Sequence, residues 1–219
     1  MTDEQQMIEA IKAGNADKVR DLIEKDIFLA DARADDGTSA LLTAIYHGEE
    51  EIVDVILESG PTLTIHEAAA AGIDDRVEEL IKGDRSLVDS YSHDGWTPLH
   101  LAVFFNQNQI AELLIEQGAN VDAVAKNQQG VTPLHSALAN KNVKIAKLLL
   151  HRGADPNAVS AAGYTPMHYV ATHDLVEVGR ILLERHVDID AKTGDGRTAL
   201  DIAREKGSER AVRMLTGED

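Results

Sequence analysis

The sequence predicts an all-α repeat solenoid, and three observations carry that prediction. A tetrapeptide returns along the chain as Thr97-Pro98-Leu99-His100, Thr132-Pro133-Leu134-His135 and Thr165-Pro166-Met167-His168, at spacings of 35 and 33 residues. Each copy is followed by apolar residues at helical spacing, and the first two then by a glycine, so one helix-turn-helix unit is being stacked. Residues 7–60 also match residues 65–118 at a constant offset of 58 with no gap; Glu9, Gly14, Asp17, Val19, Leu22, Asp36, Gly37, Leu41, Ala44, Ile52 and Gly60 all recur 58 positions later. Such a stack offers a long concave surface rather than an enclosed cavity, and the usual work of that surface is to bind another macromolecule.

The tetrapeptide is a helix start. Thr is a good N-cap, its hydroxyl accepting from an orphan backbone N–H, and Pro at the next position has a φ already suited to the first turn. The residue before Pro is pushed to extended geometry, as an N-cap needs. The second helix of a unit is read from Ile110, Leu113 and Leu114 or from Ile145, Leu148 and Leu149. Gly118 and Gly153 stand where a left-handed residue ends that helix, and Gly60 holds the same place earlier. His186 replaces this glycine in the sixth unit.

Aligning on the helix start gives seven units, approximately 3–36, 37–60, 61–93, 94–128, 129–161, 162–194 and 195–219, in a single continuous domain of 219 residues. Gly196-Arg197-Thr198-Ala199-Leu200 and Gly37-Thr38-Ser39-Ala40-Leu41 are copies without Pro and His. The segments from Leu63 and from Gln5 fill the two other slots, each ending nine residues later at Gly72 and Gly14. The junction near Gly60-Pro61-Thr62 is about ten residues short of the usual period, which predicts a missing finger there, a break in the row of fingers and a local change in stacking angle.

Thr-Pro-Leu-His-x-Ala at this period, as in Thr97 to Ala102 and Thr132 to Ala137, resembles the ankyrin repeat. The resemblance implies helix-turn-helix units with short β-hairpin fingers, right-stacked into a curved array. The turn signals Asp94-Gly95, Gln129-Gly130 and Ala162-Gly163 would then be finger tips. It also implies that contacts come from those tips and from the two residues near the end of each first helix.

Composition narrows the partners. A net charge of −17, from 21 basic and 38 acidic residues, repels phosphate and so argues against nucleic acid and anionic membrane surfaces, while favouring a basic protein partner. The absence of cysteine excludes a disulfide framework and a thiolate metal site. No basic leader precedes an apolar run, and no stretch of 18 apolar residues occurs, so a cytoplasmic location is expected.

Catalytic motifs fail one by one. There is no G-x-S-x-G elbow, phosphate loop or H-E-x-x-H pair; His66-Glu67 begins the last of these, but Ala70 stands where the second His is required. Asp188-Ile189-Asp190 begins like a calcium loop, yet Thr193 occupies its glycine position. His66, His100, His135 and His168 are read as one slot in successive units, too far apart to share a metal, and are expected to hydrogen-bond the loops of their own or adjacent units. No cofactor or metal is expected.

The helix-end slots hold Tyr46 and His47, Ala70 and Ala71, Phe104 and Phe105, Ala139 and Asn140, Thr172 and His173, and Glu205 and Lys206. The residue before the N-cap gives Trp96, Val131, Tyr164 and Arg197. Five of the eight aromatic residues (Tyr46, Trp96, Phe104, Phe105, Tyr164) fall in these slots, the pattern of a binding surface. The finger around Lys126, Asn127 and Gln128 is two residues longer than the next. The resulting expectation is a monomeric, non-catalytic scaffold that binds a protein partner through Tyr46, His47, Trp96, Phe104, Phe105, Lys126, Asn127, Gln128, Asn140, Tyr164 and His173. A small-molecule site near Trp96 and Phe104, and self-association through the Phe pair, are the alternatives.

Overall fold

The structure, a computed structural model, describes residues 1–218; Asp219, the last residue of the expected seventh unit, lies outside the described residues. The described residues form fourteen α-helices: α1 (Asp3–Lys12), α2 (Ala16–Lys25), α3 (Ala40–His47), α4 (Glu50–Glu58), α5 (Ile65–Ala71), α6 (Asp74–Gly83), α7 (Pro98–Phe104), α8 (Asn108–Glu116), α9 (Pro133–Ala139), α10 (Val143–His151), α11 (Pro166–His173), α12 (Val176–Glu184), α13 (Ala199–Lys206) and α14 (Glu209–Thr216). Consecutive helices pack as pairs, and the pairs stack through two rows, the odd-numbered helices and the even-numbered ones, with the even row interrupted between α4 and α6. At seven to ten residues, helices this short are marginal alone and owe their stability to the apolar face each buries against its row.

Capping explains where the odd helices begin. In α7, α9 and α11 the His at the third position returns the N-cap's favour: Thr97 Oγ1 lies 2.8 Å from His100 Nδ1, and Thr132 and Thr165 sit 2.9 Å from His135 and His168. The other ring nitrogen donates to the backbone of the next unit, at Val131 (3.0 Å), Tyr164 (3.0 Å) and Arg197 (3.2 Å). Each imidazole therefore ties its own helix start to its neighbour's, and burial in that position lowers its pKa, for His100 to about 4.

Two helix starts differ from the sequence reading. α5 is capped by Thr64, not Leu63, and α1 by Thr2, not Gln5. Glu67 consequently holds the slot that His100 holds in α7, with a 2.7 Å bond from the Thr64 amide, and His66 moves one position earlier to reach the Ser90 carbonyl at 3.1 Å. The cause is that α5 reaches its left-handed glycine, Gly72, one residue sooner than α7 reaches Asn106, so aligning on the glycine misplaces the start. The exchange of His186 for Gly preserves the geometry, since His186 itself takes the left-handed conformation at φ 56°.

The finger positions hold tight turns rather than strands. Gly95 donates to Ser92 and Gly163 to Ser160, and the isolated antiparallel bridge of the described residues joins Arg33 to Ser39. From the fourth unit on, each turn is hydrogen-bonded to the next, through Gly95 to Lys126, Gln129 to Ala161 and Ala162 to Gly194. The approach is close enough that a Cβ on Gly95, at φ +84°, would come within 2.4 Å of the Lys126 carbonyl oxygen.

The short junction near Gly60 divides the array. The buried apolar residues form one cluster from Met7 to Ile56 and another from Ile65 to Met214, and no α4–α6 contact matches the packing of other neighbours in the even row. Units one and three have no finger ahead of α1 and α5; 3₁₀ turns, Ile27–Asp31 and Arg85–Asp89, follow α2 and α6 at the offset of 58 and lead into the fingers of units two and four. With no third finger, the fingers of units two and four face each other directly, and His93 lies against Gly37. Across the junction run a bond from the Thr62 amide to Asp31 (2.9 Å), repeated 58 residues later between Asn120 and Asp89 (2.8 Å), and a third small apolar cluster of Leu42, Ala70 and Leu101.

Candidate functional site

Over that junction the structure brings four of the predicted residues into one continuous chain of rings. Trp96 stacks on Phe104 (6.4 Å between centroids), Phe104 meets Phe105 edge-on (5.0 Å), and Phe105 meets Tyr46 (5.8 Å). Tyr46 ends α3, Phe104 and Phe105 end α7, and Trp96 leads into α7. Helix α5 lies between them with the sequence Ile65-His66-Glu67-Ala68-Ala69-Ala70-Ala71, and its small side chains leave the recess that Phe105 and Trp96 partly cover by packing on the Leu42, Ala70 and Leu101 cluster. Phe105 is half-buried by this, whereas Phe104 remains 47 % exposed and Tyr46 38 %.

Tyr46 is fixed by a contact 48 residues away. Its hydroxyl donates to Asp94 Oδ2 at 2.6 Å, reaching from the second unit to the fourth unit's finger because no third finger intervenes. Burial, followed by the Asp94 carboxylate, pushes this phenol's pKa well up, so it remains a donor at any physiological pH. Asp94 is a residue that the sequence reading missed, for no local pattern links it to Tyr46.

The other predicted residues divide into structural and free positions. Asn140 donates to the Phe104 carbonyl at 2.5 Å and so terminates α7 from the next unit. Asn127 is half-buried and donates to the Asp94 carbonyl (3.4 Å), while the Lys126 ammonium lies 3.8 Å from the centroid of the Tyr91 ring; the longer finger thus folds back on its predecessor, leaving Gln128 exposed. Tyr164 lies apart from the four-ring chain: it packs on His168 and on Tyr169, which the slot analysis overlooked, and accepts from Arg197 at 3.2 Å. His47 is exposed with its Nδ1 2.9 Å from the Thr43 carbonyl, and His173, half-buried, has its pKa lowered by burial and then by Lys141 and Lys206.

Helix pairs stacked in two rows, with capping Thr-His pairs that reach into the next unit, define a repeat-solenoid protein. The chain belongs to the ankyrin-repeat family: models described as ankyrin repeats match residues 65–160 (three copies) and 160–203 (many copies). Those matches begin where the second apolar cluster begins, and helices α1–α4 continue the same architecture before them. An ankyrin repeat protein of Rickettsia bellii (strain RML369-C) is 28 % identical over 130 residues, covering 52 % of this chain and 37 % of that protein. The chain therefore matches little more than a third of that relative's length. Ankyrin repeats in general mediate protein–protein interactions and are typically non-catalytic. No helix of the described residues is long and apolar enough to cross a membrane.

Proposed function

We propose that this chain is a non-catalytic, monomeric scaffold, a single continuous cytoplasmic domain that docks a protein partner on its concave helix face and finger tips, centred on Tyr46, Trp96, Phe104 and Phe105. One observation carries the reading: the second and fourth units join in a single run of rings, from Tyr46 to Trp96, within which Phe104 stays exposed. Aromatic residues dominate binding hot spots because they offer large rigid surface at little entropic cost, and here that surface is already held by packing and by the Tyr46–Asp94 bond. The partner gains affinity from a face that needs no ordering on binding.

Affinity capture with the wild type and with a Tyr46→Ala/Phe104→Ala variant, first shown to retain its helical content, tests this. A partner retained by the wild type and lost by the variant is the expected result. A partner held equally by both overturns the aromatic centre and moves the site to the remaining finger tips or the even-helix row.

A further inference from the structure

Charge is distributed unevenly along the array. Residues 1–96 contain 23 acidic and 8 basic side chains, whereas residues 97–219 contain 15 and 13. The imbalance reaches the aromatic face itself. On one side stand the exposed Asp35 and Asp36 of the second unit's finger, with Lys12 and His93 close enough to help lower the Asp36 pKa beneath the effect of its Thr38 bonds; Asp94 of the fourth unit's finger is half-buried, with its oxygens taken by Tyr46 and Ser92. On the other side the helix-end row runs from Phe104 through Asn140, bonded to the Phe104 carbonyl, to Lys141 and on to His173 and Lys206. Lys141 and Lys206, from units on either side, both act on His173 and with its burial favour the neutral ring, so the charge of this row is carried by the two ammonium groups.

Two carboxylates beside this row in sequence, Glu205 and Asp174, have partners of their own. Glu205 pairs with Arg197 at 2.7 Å, and Asp174 accepts from the Ala211 amide at 2.8 Å. Lys141 and Lys206 are exposed and form no ion pair among the described residues. A row of unmatched ammonium groups in a chain of net charge −17 is the reverse of what average composition would place there.

We infer that the partner of this face is a peptide segment of graded charge: cationic where it lies against Asp35 and Asp36, apolar over Tyr46, Phe104 and Phe105, and anionic over Lys141 and Lys206. This rests on the reading of the face as a protein-binding surface. The charges fix the direction in which the segment runs, and the rings supply most of the affinity, because charge complementarity governs specificity and approach more than strength.

Selection of random 16-residue peptides displayed on phage against the full chain, with counter-selection on the Phe104→Ala variant, tests it. Expected are peptides with basic residues at one end, apolar ones in the middle and acidic ones at the other. Exchanging the charges of the two ends should weaken binding about tenfold at low salt, and Lys141→Glu/Lys206→Glu should do the same, since a few solvent-exposed pairs at about 0.5 kcal/mol each add to that factor. Peptides that require Phe104 yet tolerate the exchange overturn the graded-charge inference alone. If no selected peptide requires Phe104, the proposed function falls with it.

Discussion

The imidazole of His100 makes the acid stability of the array calculable. It is fully buried, its Nδ1 accepting from the Thr97 side and its Nε2 donating to the Val131 carbonyl, an arrangement that only the neutral ring satisfies. Burial accordingly lowers its pKa from 6.5 to about 4. Between those values the unfolded chain binds a proton that the folded chain refuses, so stability is complete above about pH 6.5 and is lost as the pH falls toward 4. Integrated over the whole window the loss is about 3 kcal/mol, and between pH 7.5 and 5.0 about 2 kcal/mol. His66, His135 and His168 are lowered for the same reason and add in the same sense. Urea unfolding followed by circular dichroism at the two pH values, for the wild type and His100→Gln, isolates this residue, because most carboxylates titrate below pH 5. The variant should lose less stability on acidification by about 2 kcal/mol. An equal pH dependence in the two proteins, or a His100 ring that titrates near 6.5 by NMR, would refute the account.

Other consequences follow from the finger ladder and the divided core. Gly95→Ala should destabilise by about 2 to 3 kcal/mol, because a strained backbone and a contact with the Lys126 carbonyl combine, whereas Gly48→Ala, with open space around it, should cost about 1 kcal/mol in the same unfolding assay. Tyr46→Phe removes a hydrogen bond to a carboxylate and should cost about 1.5 to 3 kcal/mol, with faster amide exchange in the fourth finger as its signature. Because the apolar core is split between Ile56 and Ile65, hydrogen exchange under mild urea should show residues 1–60 opening as a group before residues 65–214; simultaneous opening would show that the junction transmits full cooperativity.

The odd helices from α7 onward were legible in the sequence because Thr, Pro and His each have a local role; the paired 3₁₀ turns obey the offset of 58, but no local pattern in the sequence announced them. Alignment failed at α5, where Gly72 comes one residue early and a Glu takes over the histidine's task; side-chain chemistry at the third position, rather than distance to glycine, identifies the start. The slot analysis picked out Tyr46, Trp96, Phe104 and Phe105 separately, but not that they would touch. Their meeting depends on Ala70 and Ala71 in the unit between and on a finger that is absent, and both are statements about missing volume. Asn140 occupies a predicted contact slot, yet its amide is spent on the Phe104 carbonyl, a cross-unit bond that no pattern within one repeat encodes.

The seam at Gly60 has a mechanical meaning. Along most of the array a pull on the ends would be shared among the apolar contacts of both rows and the hydrogen bonds between fingers. At the seam the even row and the finger ladder are both interrupted, so the load would fall on the Thr62–Asp31 bond, the small Leu42 cluster and the Tyr46–Asp94 bridge. The array is a spring with one soft coil, and the aromatic rings lie across that coil. A ligand seated on them would stiffen it, joining two segments that otherwise yield separately under tension.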